Sequence, residues 1–365
     1  MSISTAGRAV EVEAKGRKKL RAGVVGVGRM GRHHARVYSQ LADTQLVGVV
    51  DADPDRAESF AEQYGCKGLA SVETLLKQGV DVVSIAVPTT HHRAMAEPLL
   101  RAGVACLIEK PLAGDVAEAE RIKAAADASG AILMVGHIER FNPIMRALKK
   151  EQGTGLPIVP RFMEMSRVSP MTFRSIDTSV VMDMMIHDLD VIIMLMDGAE
   201  PDEVYASGVP VITEHEDICS ARLVFRRPYG TCVANVTSSR LAFKTERITR
   251  ITGENAYVKI DYGAKAGSII RRLANEEQMR QVREQLRQGD DLTNVKWQDL
   301  VQIEELQVDE GEPIVMEIQS FIDAVKEGRH PEIDARAGLA NVRTAERIIE
   351  AARKERGAQS IHSTY

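Results

Sequence analysis

The sequence predicts an α/β fold in two domains: an N-terminal doubly wound, parallel-sheet domain, then a C-terminal α+β domain with a large open, mostly antiparallel sheet. Three observations carry this expectation. The 365 residues exceed what one hydrophobic core usually serves. The first third alternates short apolar runs with segments of helix length, the rhythm of βαβ units. Beyond it the pattern changes to longer alternating runs joined by short turns, which suits antiparallel pairing.

The first nineteen residues mix Arg, Lys, Glu, Gly and Ser, with no apolar export segment and no twin arginine, and read as a disordered tail. The first domain is expected over 20–142. Leu20 to Val27, Leu46 to Val50, Val80 to Val87 and Val104 to Ile108 read as strands, and Ile132 to Val135 adds one more. Their near-continuous Val, Ile, Ala and Leu implies cover on both faces. Gly136 to Pro143 marks the crossing into the second domain, expected over 143–357. There a helix near Ile144 to Glu151 and the turn-rich QGTGLP precede alternating strands at Asp217 to Phe225, Gly230 to Ser238 and Glu246 to Thr252. The turn Arg227-Pro228-Tyr229-Gly230 joins two of them. Helices are expected at Val180 to Met196, Pro313 to Glu327 and Ala337 to Lys354, with a strongly charged helical insert from Ala274 to Gly289 and a short tail at 358–365.

Composition excludes several function classes. At 44% hydrophobic and 27% charged residues, with no apolar run near the roughly 20 residues that span a membrane, a membrane role is not expected. The net charge of -5 is spread along the chain and offers no basic face for nucleic acid. Cys66, Cys106, Cys219 and Cys232 form no CxxC pair and read as reduced thiols, which places the protein in the cytoplasm.

The chemistry-bearing motifs begin at Gly26-Val27-Gly28-Arg29-Met30-Gly31, a GxGxxG between an apolar strand and a helix. Such glycines let backbone amides approach a pyrophosphate at a positive helix end. Asp51 closes the second strand, twenty positions after Gly31, where a carboxylate can accept both hydroxyls of an adenosine ribose. Asp51 also repels a 2′-phosphate, and Ala52-Asp53-Pro54 supplies no cation to hold one, so NAD is expected over NADP. Glu109-Lys110-Pro111 sits at the carboxyl end of a strand, the edge where such sheets bind ligands. Lys110 there either stabilises an alkoxide or is a solvated lysine paired with its neighbouring glutamate.

Asp183 and His187 stand i, i+4 on the expected helix, whereas Met182, Ile186, Leu189 and Ile193 point toward a core. An imidazole can take the proton of a substrate hydroxyl, and a nearby carboxylate can fix its tautomer. Asp188 and Asp190, on other faces, are expected to cap or to be solvated. No ligand set completes a metal site around Asp183, His187 and Asp190. His91 and His92 are open between a role and a bare helix surface; His33 and His34 are expected on the surface.

Together these residues resemble the glucose-fructose oxidoreductase and inositol dehydrogenase (Gfo/Idh/MocA) family from Leu20 to about Arg353. Gly26 to Gly31 is similar to its dinucleotide loop, Pro88 with His92 to its P…H turn, Glu109-Lys110-Pro111 to its EKP signature and Asp183 with His187 to its D-x-x-x-H helix. The resemblance implies that Pro88, Thr89, His92, Glu109 and Lys110 join the glycine loop and Asp51 in binding NAD. It further implies that Lys110 touches the nicotinamide ribose and substrate hydroxyl, that His187 is the general base and that Asp183 orients substrate or His187. A homodimer or homotetramer is implied as well. Gly136 to Pro143 resembles the branch acting on nucleotide sugars, UDP-N-acetylglucosamine 3-dehydrogenases in particular. Arg271, Arg272, Arg280 and Arg283 in and before the charged insert are candidates for meeting a diphosphate. The alternatives are a free polyol or sugar such as inositol as substrate, an NAD-dependent glycosidase, and a dinucleotide sensor, the last disfavoured by the presence of Lys110 and His187.

Overall fold

The computed structural model describes residues 19–154, 158–173, 176–289 and 300–362. The expected N-terminal tail therefore lies, up to residue 18, outside the described residues, as do 155–157 of the QGTGLP turn and 363–365.

The N-terminal sheet is built from β1 (Leu20–Val25), β2 (Thr44–Val50), β3 (Lys67–Leu69), β4 (Val82–Ile85), β5 (Ala105–Glu109) and β6 (Leu133–Gly136). They lie in the order β3-β2-β1-β4-β5-β6, all parallel. The order reverses between β1 and β4, and the crevice at such a reversal is where open sheets take their ligands. β4, β5 and β6 are buried along their whole length, which is why they read as unbroken apolar runs. β3 was not expected: three residues with a central glycine, half-exposed, carry no usable periodicity.

The helices of this domain are α1 (Gly31–Gln40), α2 (Pro54–Tyr64), α3 (Val72–Leu76), α4 (His92–Arg101) and α5 (Val116–Ser129). Local chemistry sets their ends. On α2 the Asp53 side chain accepts from the amides of Asp55 and Arg56, Pro54 occupies the first turn, and Gly65 closes the helix at φ 64°.

After α6 (Pro143–Thr154), β7 (Pro160–Val168), α7 (Ile186–Leu195) and β8 (Glu203–Val209), the second domain continues through β9 (Ile218–Arg227), β10 (Gly230–Ser239), β11 (Glu246–Gly253), β12 (Ala256–Asp261) and β13 (Ala266–Arg272). Then come α8 (Glu276–Gln288), β14 (Val301–Glu305), α9 (Pro313–Glu327) and α10 (Ala335–His362). The eight strands run β14-β13-β12-β11-β7-β10-β9-β8, antiparallel except for the pair β7 and β10. Leu223, Ala234, Met163, Ile251, Val258 and Ile269 line up across the sheet and are all buried. α7 packs on β7 and β10 beneath this face, and α10 on β8.

α9 and α10 return to the first domain. α9 packs on α1, and α10 on α5 and β6, so the C-terminal segment belongs to both halves. α10 also continues to His362, into the segment expected to be a tail.

The aspartates expected to cap or be solvated are instead buried. Asp188 meets Arg167 in a two-pronged pair at 2.9 Å on each arm, with Glu139 at 2.9 Å on the third guanidinium nitrogen. Asp190 meets Arg140 at 2.7 and 2.6 Å. α7 is enclosed on all sides, so even its polar faces require partners, and these come from elements twenty or more residues away.

Candidate active site

At the end of β1 each glycine of the loop has a different geometric duty. Gly26 adopts φ 83°, and a Cβ there would meet the Ala86 carbonyl oxygen at 2.8 Å. Gly28 faces open space, leaving room for a ligand to approach the backbone. Gly31 is pressed against the loop itself: an added Cβ would lie 1.7 Å from the Gly26 carbonyl oxygen. No side chain caps the start of α1, so the positive end of the helix dipole is left to face an anionic pyrophosphate.

Asp51 is fixed by three donors: the Val27 amide at 2.9 Å, the Asp53 amide at 3.0 Å and the Arg56 guanidinium at 3.1 Å. Arg56 is thus a cation beside the ribose-binding carboxylate that the residues immediately after Asp51 did not disclose. A cavity of about 830 Å³ opens here, lined among others by Gly26, Gly28, Arg29, Met30, Asp51, Pro88, Glu109 and Lys110. Val27, Gly31, Thr89 and His92 do not line it. His92 is buried behind it, with Nδ1 3.0 Å from the Pro111 carbonyl and Nε2 3.0 Å from the Val87 carbonyl. It ties the end of β4 to the Glu109-Lys110-Pro111 turn. The glycine loop, the uncapped helix and Asp51 fit a dinucleotide, and the cavity extends to Lys110, where its nicotinamide end would lie.

Lys110 donates from Nζ to the Asp183 carbonyl at 2.8 Å and sits 3.6 Å from its carboxylate. Asp183 thus engages Lys110, and no hydrogen bond joins it to His187 among the described residues. A π-helical turn, Val181–Met185, precedes α7 and accommodates one more residue per turn, displacing Asp183 from the expected α-helical register. Burial holds the His187 imidazole well below its ordinary value, reinforced by the charges of Lys110 and Arg167. Burial likewise lowers the Lys110 ammonium, opposed by the carboxylates of Asp183 and Glu109. A neutral imidazole and a carboxylate-flanked ammonium therefore stand together, the forms required of a base and of an oxyanion stabiliser.

Both line a second cavity, of about 350 Å³, which adjoins the first through Arg29, Met30, Glu109 and Lys110. Its walls hold Arg167, Arg240 and Arg247. Strand pairing assembles them, since Arg167 on β7 is the register partner of Arg247 on β11, and Arg240 follows the end of β10. Nothing local in the sequence signals this cluster. The arginines expected to meet a diphosphate, Arg271, Arg272, Arg280 and Arg283, do not line the cavity. Arg271 pairs with Glu151 and Glu304, and Arg280 with Glu277, toward the far edge of the sheet.

His34 corrects the expectation of a surface residue. It is fully buried, with Nδ1 2.9 Å from Ser84 Oγ and Nε2 2.9 Å from Glu109 Oε1. His34 and Tyr38 share the sheet-facing side of α1 one turn apart, and Tyr38 reaches the same serine at 2.8 Å. His33 stays half-exposed.

Comparison with known proteins agrees with this geometry. The family described as oxidoreductase family, NAD-binding Rossmann fold, matches residues 20–137, and the oxidoreductase family C-terminal alpha/beta domain matches 172–359. UDP-N-acetylglucosamine 3-dehydrogenase of Acidithiobacillus ferrooxidans is 40% identical over 243 residues, covering 67% of this chain and 74% of that protein. Inositol 2-dehydrogenase of Rhizobium meliloti is 28% identical over 348 residues, 92% of this chain and 98% of its own. The solved structure of the Acidithiobacillus ferrooxidans enzyme superposes with TM-score 0.79 at 33% identity, covering 93% of this chain and 99% of that one.

Proposed function

Because the chain belongs to the Gfo/Idh/MocA oxidoreductase family, and is with it an NAD-dependent dehydrogenase, we propose that it oxidises a secondary hydroxyl of a nucleotide sugar, UDP-N-acetylglucosamine at C3. The observation that carries the substrate is the arginine-walled cavity beside Lys110 and His187. Arg247 lines it exposed, with no side-chain hydrogen bond or ion pair given to another described residue. A guanidinium so placed suits a diphosphate, with which it makes charge-assisted hydrogen bonds.

NAD, when bound, supplies the hydride acceptor. Gly26, Gly28, Arg29 and the first turn of α1 would hold its pyrophosphate, and Asp51 its ribose. His187 takes the hydroxyl proton, Lys110 stabilises the developing alkoxide, and Asp183 holds Lys110 in place.

Turnover followed by NADH absorbance, with UDP-N-acetylglucosamine and with inositol, tests this reading. The nucleotide sugar is expected to react, and Arg247→Ala to raise its KM about tenfold or more, the worth of one charged hydrogen bond, with NAD affinity unchanged. Turnover of inositol with an inert nucleotide sugar would overturn it.

The sheet also points to self-association. Opposite its buried face, Val224, Val233, Phe162, Thr252, Tyr257, Ile270 and Ile303 are aligned across seven strands, and no helix covers them among the described residues. Tyr205 and Ile303 on this face are 58% and 55% exposed. We propose that a second copy covers this stripe, giving a dimer or tetramer. Light scattering at micromolar concentration is expected to give at least twice the chain mass; a monomer would refute it. The four cysteines are free, as in a reducing compartment, and the proposed location is the cytoplasm.

A further inference from the structure

The His187 ring is not held through Nδ1, which is buried and has no hydrogen-bond partner among the described residues. Its placement is therefore left to the backbone that carries it. That backbone contains an irregularity one residue away: the π turn Val181–Met185 gives way to α7 at Ile186. A π turn is an inserted residue, and moving the insertion past His187 would swing its side chain by about 100°, one residue's share of a helical turn. Something must pin the junction if the base is to face the cavity.

Asn341, fully buried on α10, reaches it from 155 residues away. Its Nδ2 donates to the Ile186 carbonyl at 3.0 Å, and the same nitrogen lies 3.2 Å from Nε2 of His137, the residue after β6. A carbonyl oxygen only accepts, so the amide must turn its NH2 this way. The second hydrogen then makes His137 Nε2 an acceptor and leaves the ring proton on Nδ1. Burial holds His137 below its ordinary value, in keeping with a neutral ring there. Ala340, Val342 and Ala345 beside Asn341 are buried too, so the amide stands in an apolar wall where these two bonds alone offset its desolvation. α10 packs on α7, on the π turn and on β6, and the amide joins all three. We propose that Asn341 is a positioning residue for His187: braced against His137, it holds the Ile186 carbonyl and so fixes the peptide plane from which the base projects.

This inference rests on His187 being the general base, and a double-mutant cycle on the full chain tests it. Asn341→Leu, close in size and without donors, is expected to lower kcat about tenfold, the worth of the two hydrogen bonds removed, with KM and NAD affinity held within about twofold. In the His187→Ala background the same substitution should cost less than about twofold, because the group it positions is gone. A loss that stays tenfold in that background, or a folded Asn341→Leu enzyme with the wild-type kcat, would overturn the proposal. Ring-nitrogen NMR of the histidine-labelled chain adds a readout that needs neither substrate nor cofactor. His137 is expected as the neutral Nδ1–H tautomer in the wild type and to lose that preference in Asn341→Leu. A wild-type His137 that carries its proton on Nε2 would mean that the amide faces the other way, and defeats the proposal. Should the leucine variant fail to fold, Asn341→Ala through the same cycle and the wild-type tautomer decide. Normal turnover in His187→Ala would remove the base, and with it the role of Asn341, while the tautomer result stands.

Discussion

Replacing His187 by alanine is expected to lower kcat roughly 100- to 10,000-fold, the usual contribution of a positioned general base. NAD affinity should change little, because His187 lines the arginine-walled cavity and not the larger one that holds the glycine loop. The pH profile gives an independent check. His187 works as the neutral imidazole, and burial with the Lys110 and Arg167 charges holds it well below its ordinary value. Activity should therefore persist as the pH falls through about 6.5, the free-imidazole midpoint, and fail only below it. Steady-state kcat/KM measured across the acid range decides: an acid limb at or above the free value, or near-normal turnover in His187→Ala, would remove His187 as the base.

The second large effect is expected at Gly31. A methyl group there lies 1.7 Å from the Gly26 carbonyl oxygen, and both atoms belong to backbone that cannot rotate away. Gly31→Ala must therefore open the loop, at a cost of about 3 kcal/mol or more, the upper end for overpacked sites. The expected readout is a loss of NAD affinity of roughly 100-fold or greater, with a lower melting temperature. Gly28 supplies the contrast, since nothing lies within 4 Å of its added Cβ. Gly28→Ala should keep its melting temperature and lose affinity only for the ligand. Equal thermal stability and equal titration curves for the two variants would show that the loop is not rigid enough to matter.

What could be read from the sequence was whatever local pattern dictates. Unbroken apolar runs marked β4 and β5, a glycine loop followed by Asp51 marked the cofactor half, and alternation marked β9, β10 and β11. The positions of Lys110 and His187 followed from motif spacing, and the fold brings both to one cavity. What escaped depends on pairing across long separations. Asp188 and Asp190 looked solvated because Arg167 and Arg140 lie on other elements. Arg247 reaches the site only because β11 pairs with β7, eighty residues earlier. His34 was misplaced because a histidine beside another on a charged helix looks like surface, although the apolar Ala35, Val37 and Tyr38 next to it mark the side that faces the sheet. The contact of Asp183 with Lys110 was not legible, because a π turn is invisible to a period of 3.6.

The ion pair between Arg56 and Asp51 has an evolutionary consequence. Cofactor preference here hangs on one carboxylate, behind which a guanidinium already stands, half-exposed and held in the cavity wall. Single-nucleotide substitutions of an aspartate codon reach Asn, Gly and Ala, each of which deletes that charge and leaves Arg56 at the ribose end with one carboxylate partner, Asp53, in place of two. A 2′-phosphate is what such an arginine accommodates. In lineages descending from this sequence, one codon step at Asp51 therefore begins a change of dinucleotide and a second at Asp53 frees the arginine, with no insertion, no new loop and no change to the catalytic end of the cleft.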